Sequence, residues 1–164
     1  MDKKIILTKF EPKQDNLLNI LHELQNSNPQ NFLTTDDLKL VAEYLNITYS
    51  SVYGVVKYYS MFSIKPRGKY VIRVCKSPLC QMIGANSIVD EIKHNIGIGI
   101  GELSEDLMYS VEASECLGHC AEAPVMMING GIYKNLDADK VKNIFQNIKL
   151  NHKNTDWPWF QKRK

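Results

Sequence analysis

Four cysteines in two close pairs constrain this chain more than any other feature: Cys75 and Cys80 in C-K-S-P-L-C, and Cys116 and Cys120 in C-L-G-H-C. If they serve one site, two segments far apart in sequence must return to the same place. Thiolates select soft or borderline ions, so an iron–sulfur cluster and tetrahedral zinc are the centres this set suits. Zinc knuckles usually pair their ligands at C-x2-C, whereas C-x4-C followed by a distant C-x3-C suits ligands wrapped around a larger object such as a two-iron cluster. Spacing alone therefore favours iron–sulfur over zinc, and two disulfides remain the third reading.

The segment MDKKIILTKFEPK carries only three consecutive apolar residues before it turns polar, too few for a secretory signal. No run approaches the roughly 18–20 apolar residues of a membrane helix, so a cytoplasmic protein without direct membrane insertion is expected. In a reducing compartment, close cysteine pairs favour metal binding over disulfides. A net charge of +2 over 164 residues gives no reason to expect nucleic acid as a partner.

Apolar periodicity predicts a helix from Pro12 to about Gln25 through Leu17, Ile20, Leu21 and Leu24. A second, capped by Thr34 or Thr35 and ended by Asn46, carries Leu38, Val41, Ala42 and Leu45. A third, capped by Thr48, carries Val52, Val55, Val56 and Tyr59. After the turn Lys65-Pro66-Arg67-Gly68 the pattern becomes β-rich: a strand over 70–75, a helix from Met82 to about Asn95, and a strand from Met108 to Ala113. Val125 to Ile128 and Ile132 to Leu136 flank Asn129-Gly130-Gly131 as a hairpin, and a last helix runs from Asp137 to Ile148. The expected fold is α+β, a three-helix bundle followed by a βαββα sandwich compatible with a thioredoxin-like domain. Its expected divisions are 1–64, 65–150 and a tail, 151–164.

In this arrangement all four cysteines fall on connections, with Cys80 just before a helix, and the two connections can share one sheet edge. A [2Fe–2S] centre with four thiolates carries about two negative charges, and about three when reduced, so it needs donors nearby. Gly118 and the helix start after Cys80 can offer amides, while Lys76 and Ser77 can offer a charge and a hydroxyl. His119 fits poorly as a Rieske-type ligand, because such centres use two histidines and four cysteines already complete the set.

Together with V-Y-G-V-V-K-Y-Y-S-M-F (residues 52–62), P-R-G-K-Y-V-I-R-V-C, G-I-G-I-G-E and E-C-L-G-H-C-A-E-A-P-V-M-M-I-N, the cysteine pairs resemble a family. It is the [2Fe–2S] thioredoxin-like subunit of NADH dehydrogenases, the 24 kDa subunit of complex I, and the resemblance covers roughly residues 12–148. It implies that Cys75, Cys80, Cys116 and Cys120 ligate a [2Fe–2S] cluster. It also implies a flavin- and NAD(P)H-binding iron–sulfur partner subunit, with a further catalytic or ferredoxin-like subunit. Host complexes of this kind include respiratory NADH dehydrogenase, electron-bifurcating hydrogenase and formate dehydrogenase. The chain would then be a non-catalytic electron-transfer subunit; the alternative is a zinc-stabilised assembly module. It departs from the family in Lys76-Ser77-Pro78-Leu79 between the first cysteines, and in Lys57-Tyr58 where a Thr-Phe pair is common.

Gly97, Gly99 and Gly101 follow a helix rather than a strand, so they read as a connection and not as a dinucleotide loop. The second and third helices have the outline of a helix-turn-helix, but the candidate recognition helix is poor in basic residues. Trp157, Trp159, Phe160, Lys162, Arg163 and Lys164 are a candidate partner anchor in the tail.

Overall fold

The computed structural model describes residues 3–151, with the Asn151 side chain left aside. The tail anchor expected at Trp157–Lys164 lies outside them. Chain contacts separate two compact units at Lys69/Tyr70.

In the first unit, α1 (Lys3–Leu7), a 3-10 turn (Gln14–Asn16), α2 (Leu17–Ser27), α3 (Thr35–Leu45) and α4 (Tyr49–Tyr58) follow one another. Their apolar faces meet in one core, in which Ile20, Leu21, Leu33, Val41 and Val52 are fully enclosed. Thr34 starts α3 with a capping box, its hydroxyl accepting from the Asp37 amide while the Asp37 carboxylate accepts from the Thr34 amide. Asn46 ends the helix in the left-handed conformation at φ 51°, a geometry asparagine tolerates better than most residues. Thr48 caps α4 by accepting from the Ser51 amide.

Two expectations for this unit are revised. A fourth α-helix, α1, precedes the three expected, because Ile6 and Leu7 are buried by tertiary packing in a segment too short to show periodicity. The next helix does not begin at Pro12: Lys13 is extended (φ −120°, ψ 144°), and a 3-10 turn leads into α2.

The second unit is a four-stranded sheet with helices, ordered β1 (Tyr70–Cys75), α5 (Pro78–Ile83), α6 (Ala85–Ile96), β2 (Tyr109–Ser114), β3 (Met126–Ile128), β4 (Gly131–Tyr133) and α7 (Ala138–Asn151). The spatial strand order is β2-β1-β3-β4. The β1–β2 pair is parallel with Cys75 opposite Ser114, while β1–β3 and β3–β4 are antiparallel. Alternate residues Tyr70, Ile72 and Val74 of β1 and Tyr109 and Val111 of β2 face a core shared with Ile88, Ile92, Val141 and Phe145.

The single helix expected over 82–95 is two. Gly84, at φ 115°, ends α5, donating its amide toward the Cys80 and Gln81 carbonyls, and starts α6. No helix among the described residues is long and apolar enough to cross a membrane.

Candidate metal centre

Parallel pairing of β1 and β2 determines where the cysteines lie. Both strands end at the same sheet edge, so the connections after Cys75 and after Ser114 leave side by side. The Lys76 amide donates to the Ser114 carbonyl at 2.9 Å, and the Cys75 amide donates to the Val125 carbonyl at 3.1 Å. The first bond ties the turn after Cys75 to β2, and the second ties it to the chain entering β3. The Ala123–Pro124 peptide, beside Val125, is cis.

Cys80 lies inside α5 rather than ahead of a helix, because Ser77-Pro78 already supplies an N-cap and a first helical residue. The helix start thus precedes Cys80 and cannot offer it the amides expected from a start after it. Cys75 and Cys80 are buried with Ala85 and Val125, and Leu117, Ala123 and Ile132 pack around them. Cys116 and Cys120 are exposed on the opposing loop, and all four thiols are free.

Hydrogen bonds connect the two segments. Burial pushes the Cys75 thiol up, but hydrogen bonds from the Ser77 hydroxyl and amide, the Leu117 amide and the Cys80 thiol together outweigh it, leaving the pKa below its usual value. The Ser77 Oγ stands 3.3 Å from Cys75 Sγ. Cys80 is pushed up, first by burial and then by Cys75, against hydrogen bonds from the Ser77 hydroxyl and the Val125 amide. Cys120 is raised by its hydrogen bond to Cys116 and the Cys116 charge, with smaller contributions from burial and from the charges of Cys80 and Cys75. The Cys116 and Cys120 sulfurs are 3.3 Å apart, and the Gly118 amide donates to Cys116 Sγ at 3.4 Å.

Among the described residues, no three His, Cys, Asp or Glu side chains close around the position of one ion. The thiols instead form two pairs, Cys75 with Cys80 and Cys116 with Cys120, close enough that the charges of Cys75 and Cys80 act on Cys120, and two pairs suit a centre with two metal ions. Amides of Ser77, Leu117, Val125 and Gly118 point at sulfur and would stabilise an anionic sulfur cluster. The donor set therefore fits a [2Fe–2S] group.

Other expected residues have different partners. The His119 Nδ1 pairs with Glu122 Oε2 at 3.4 Å, and Lys134 Nζ reaches the same oxygen at 2.7 Å. Lys134 first and His119 second hold the Glu122 carboxyl below its ordinary range. The Lys76 ammonium donates to Asn86 Oδ1 at 2.5 Å. At the glycine-rich connection, the Glu102 carboxylate accepts from the Gly99 amide at 2.6 Å, occupying a donor that a phosphate would need. Sequence reasoning singled out Ser77 and Gly118 but missed the Leu117 and Val125 amides. A main-chain donor leaves no mark on the side chain that carries it.

The family model described as thioredoxin-like [2Fe–2S] ferredoxin matches residues 3–149. The NADP-reducing hydrogenase subunit HndA of Solidesulfovibrio fructosivorans is 33% identical over 132 residues, which cover 80% of this chain and 76% of that protein. A subunit of the NADH-quinone oxidoreductase of Aquifex aeolicus (strain VF5) is 37% identical over 125 residues, covering 76% of this chain and 77% of that one. Among solved structures, an NAD+-reducing [NiFe]-hydrogenase in the air-oxidized state superposes with a TM-score of 0.72 at 20% identity, a likeness of fold. This superposition covers 88% of the present chain and 25% of the hydrogenase chain, so the protein spans about a quarter of that chain's length.

Proposed function

The chain belongs to the thioredoxin-like [2Fe–2S] ferredoxin family, and from that premise we propose that it is an electron-transfer subunit of a multisubunit NAD(P)H-linked oxidoreductase. Cys75, Cys80, Cys116 and Cys120 would hold the [2Fe–2S] cluster. The zinc-stabilised module is set aside by this membership. When bound, the cluster accepts and returns one electron at a time, which lets a two-electron hydride donor feed one-electron carriers.

The protein's own residues do the rest. Ala85, Val125 and Leu117 keep water from the Cys75–Cys80 side. The Ser77 hydroxyl and the Ser77, Leu117 and Val125 amides offset negative charge on those sulfurs. The exposed Cys116–Cys120 side is where a partner's redox centre can approach most closely. That partner is a flavin- and NAD(P)H-binding iron–sulfur subunit, accompanied by a further catalytic or ferredoxin-like subunit, in the cytoplasm. The helical unit that ends at Lys69 offers a docking platform, and the unit that begins at Tyr70 is the cluster domain.

The observation that carries this reading is the placement of two thiol pairs at one sheet edge with main-chain amides aimed at their sulfurs. Anaerobic purification tests it. The expected result is iron and sulfide at two of each per chain and a rhombic EPR signal on reduction. Zinc without sulfide would overturn the assignment.

A further inference from the structure

The two cysteine pairs differ in what can reach them. Cys75 and Cys80 are each 1% exposed, enclosed by Ala85, Val125 and Leu117. Cys116 and Cys120 are exposed, on a loop that bends at Gly118 (φ 79°), with their sulfurs 3.3 Å apart. A disulfide needs about 2.05 Å between sulfurs, so a contraction of about 1.3 Å within one short loop would complete the bond. Thiol oxidation follows exposure, because the oxidant must touch the sulfur.

We propose that Cys116 and Cys120 form a redox latch on cluster loading: in the metal-free chain a hydroperoxide oxidises this pair to a disulfide, while Cys75 and Cys80 remain thiols. One thiolate of the exposed pair attacks a peroxide oxygen, breaking the O–O bond and giving a sulfenic acid and, with hydrogen peroxide, hydroxide, which takes up the proton the thiol had lost and becomes one water. The second thiol attacks that sulfur and displaces the hydroxyl group as a second water. Two thiols and one peroxide thus give one disulfide and two waters, with two electrons passing from sulfur to oxygen. Exchange with a reduced dithiol returns both electrons and both protons and reopens the pair.

The consequence for loading rests on the ligand assignment above. A latched chain offers two thiols where the centre needs four, so it cannot take up the cluster until it is reduced. The latch also diverts the exposed sulfurs from irreversible oxidation toward a form that a dithiol can recover.

The test uses the full-length chain stripped of metal and fully reduced under anaerobic conditions. One portion receives an equimolar dose of hydrogen peroxide; both are denatured, alkylated with iodoacetamide and mapped by peptide mass spectrometry. The treated chain is expected to lose two of its four alkylation sites, with the link between Cys116 and Cys120. Cys116→Ser and Cys120→Ser chains, with unchanged far-UV circular dichroism, are expected to form no disulfide and to keep Cys75 and Cys80 alkylated, the remaining exposed cysteine being recovered as a thiol or as a sulfur oxide. A link to Cys75 or Cys80, or full alkylation after peroxide, would overturn the proposal.

Undenatured portions are then supplied with ferrous iron and sulfide. Iron uptake and visible absorbance should develop in the reduced chain, be lost in the latched one, and return after dithiothreitol. Uptake by both forms would overturn the latch alone. Failure of the reduced chain to take up iron would overturn the ligand assignment and the gating with it, while a mapped Cys116–Cys120 link would stand as independent chemistry.

Discussion

Ser77 occupies the N-cap of α5, where a serine hydroxyl ordinarily accepts a hydrogen bond from an amide in the first helical turn. It makes no such bond, and the hydroxyl lies 3.3 Å from Cys75 Sγ. The residue has therefore exchanged a capping role for a sulfur contact, and Pro78 at the helix start reduces the need for a cap by removing one amide donor. A donor to a cluster thiolate stabilises the reduced, more negative state more than the oxidised one. With a differential of about 0.5–1 kcal/mol for one hydrogen bond, Ser77→Ala should lower the midpoint potential by about 20–40 mV, while Ser77→Thr should retain most of it. An EPR-monitored redox titration reads the difference; equal midpoints for the native and alanine forms would rule out the contact. Ser77 was legible in the sequence because a hydroxyl two residues from a cysteine of the candidate centre advertises a donor. Lys76 was legible only as a charge, and its bond to Asn86 across the turn required tertiary structure to see.

Elements were legible where periodicity and end signals agreed. Thr34, Asn46 and Thr48 marked the limits of α3 and α4, and the β-branched run of residues 70–75 marked β1. The hairpin around Asn129-Gly130 was also visible, since both residues sit at positive φ as a tight turn requires. The α5–α6 break was not: apolar residues continue across Gly84, and a lone glycine in a helical pattern does not reveal its φ. This glycine separates the helix that carries Cys80 from the helix that covers the sheet. A Cβ added there would meet nothing within 4 Å, so the cost of Gly84→Ala is backbone strain alone. At φ 115° that strain should destabilise the fold by about 1–2 kcal/mol. Denaturant unfolding should show a lower midpoint with an unchanged slope; an unaltered midpoint would mean that the turn relaxes without cost.

At the scale of the whole molecule, each unit has its own hydrophobic core: Ile20, Leu21, Val41 and Val52 centre the first, and Ile72, Ile92, Val141 and Phe145 the second. All four thiols lie in the second unit, at the end of β1, in α5 and on the loop between β2 and β3. The convergence of those segments could not be derived from spacing, because it depends on β1 and β2 being parallel, and strand direction leaves no pattern in either strand. A ligand that binds only the folded state stabilises the structure it bridges, so cluster loading should act unevenly along the chain. Hydrogen exchange of the metal-free and loaded full-length chains should show protection rising at least tenfold over 75–80 and 116–125. Amides of α2 to α4, whose core contains no ligand, should change by less than a factor of two. Equal gains in both units would show that they unfold as one cooperative body, and no gain at 116–125 would remove that loop from the centre.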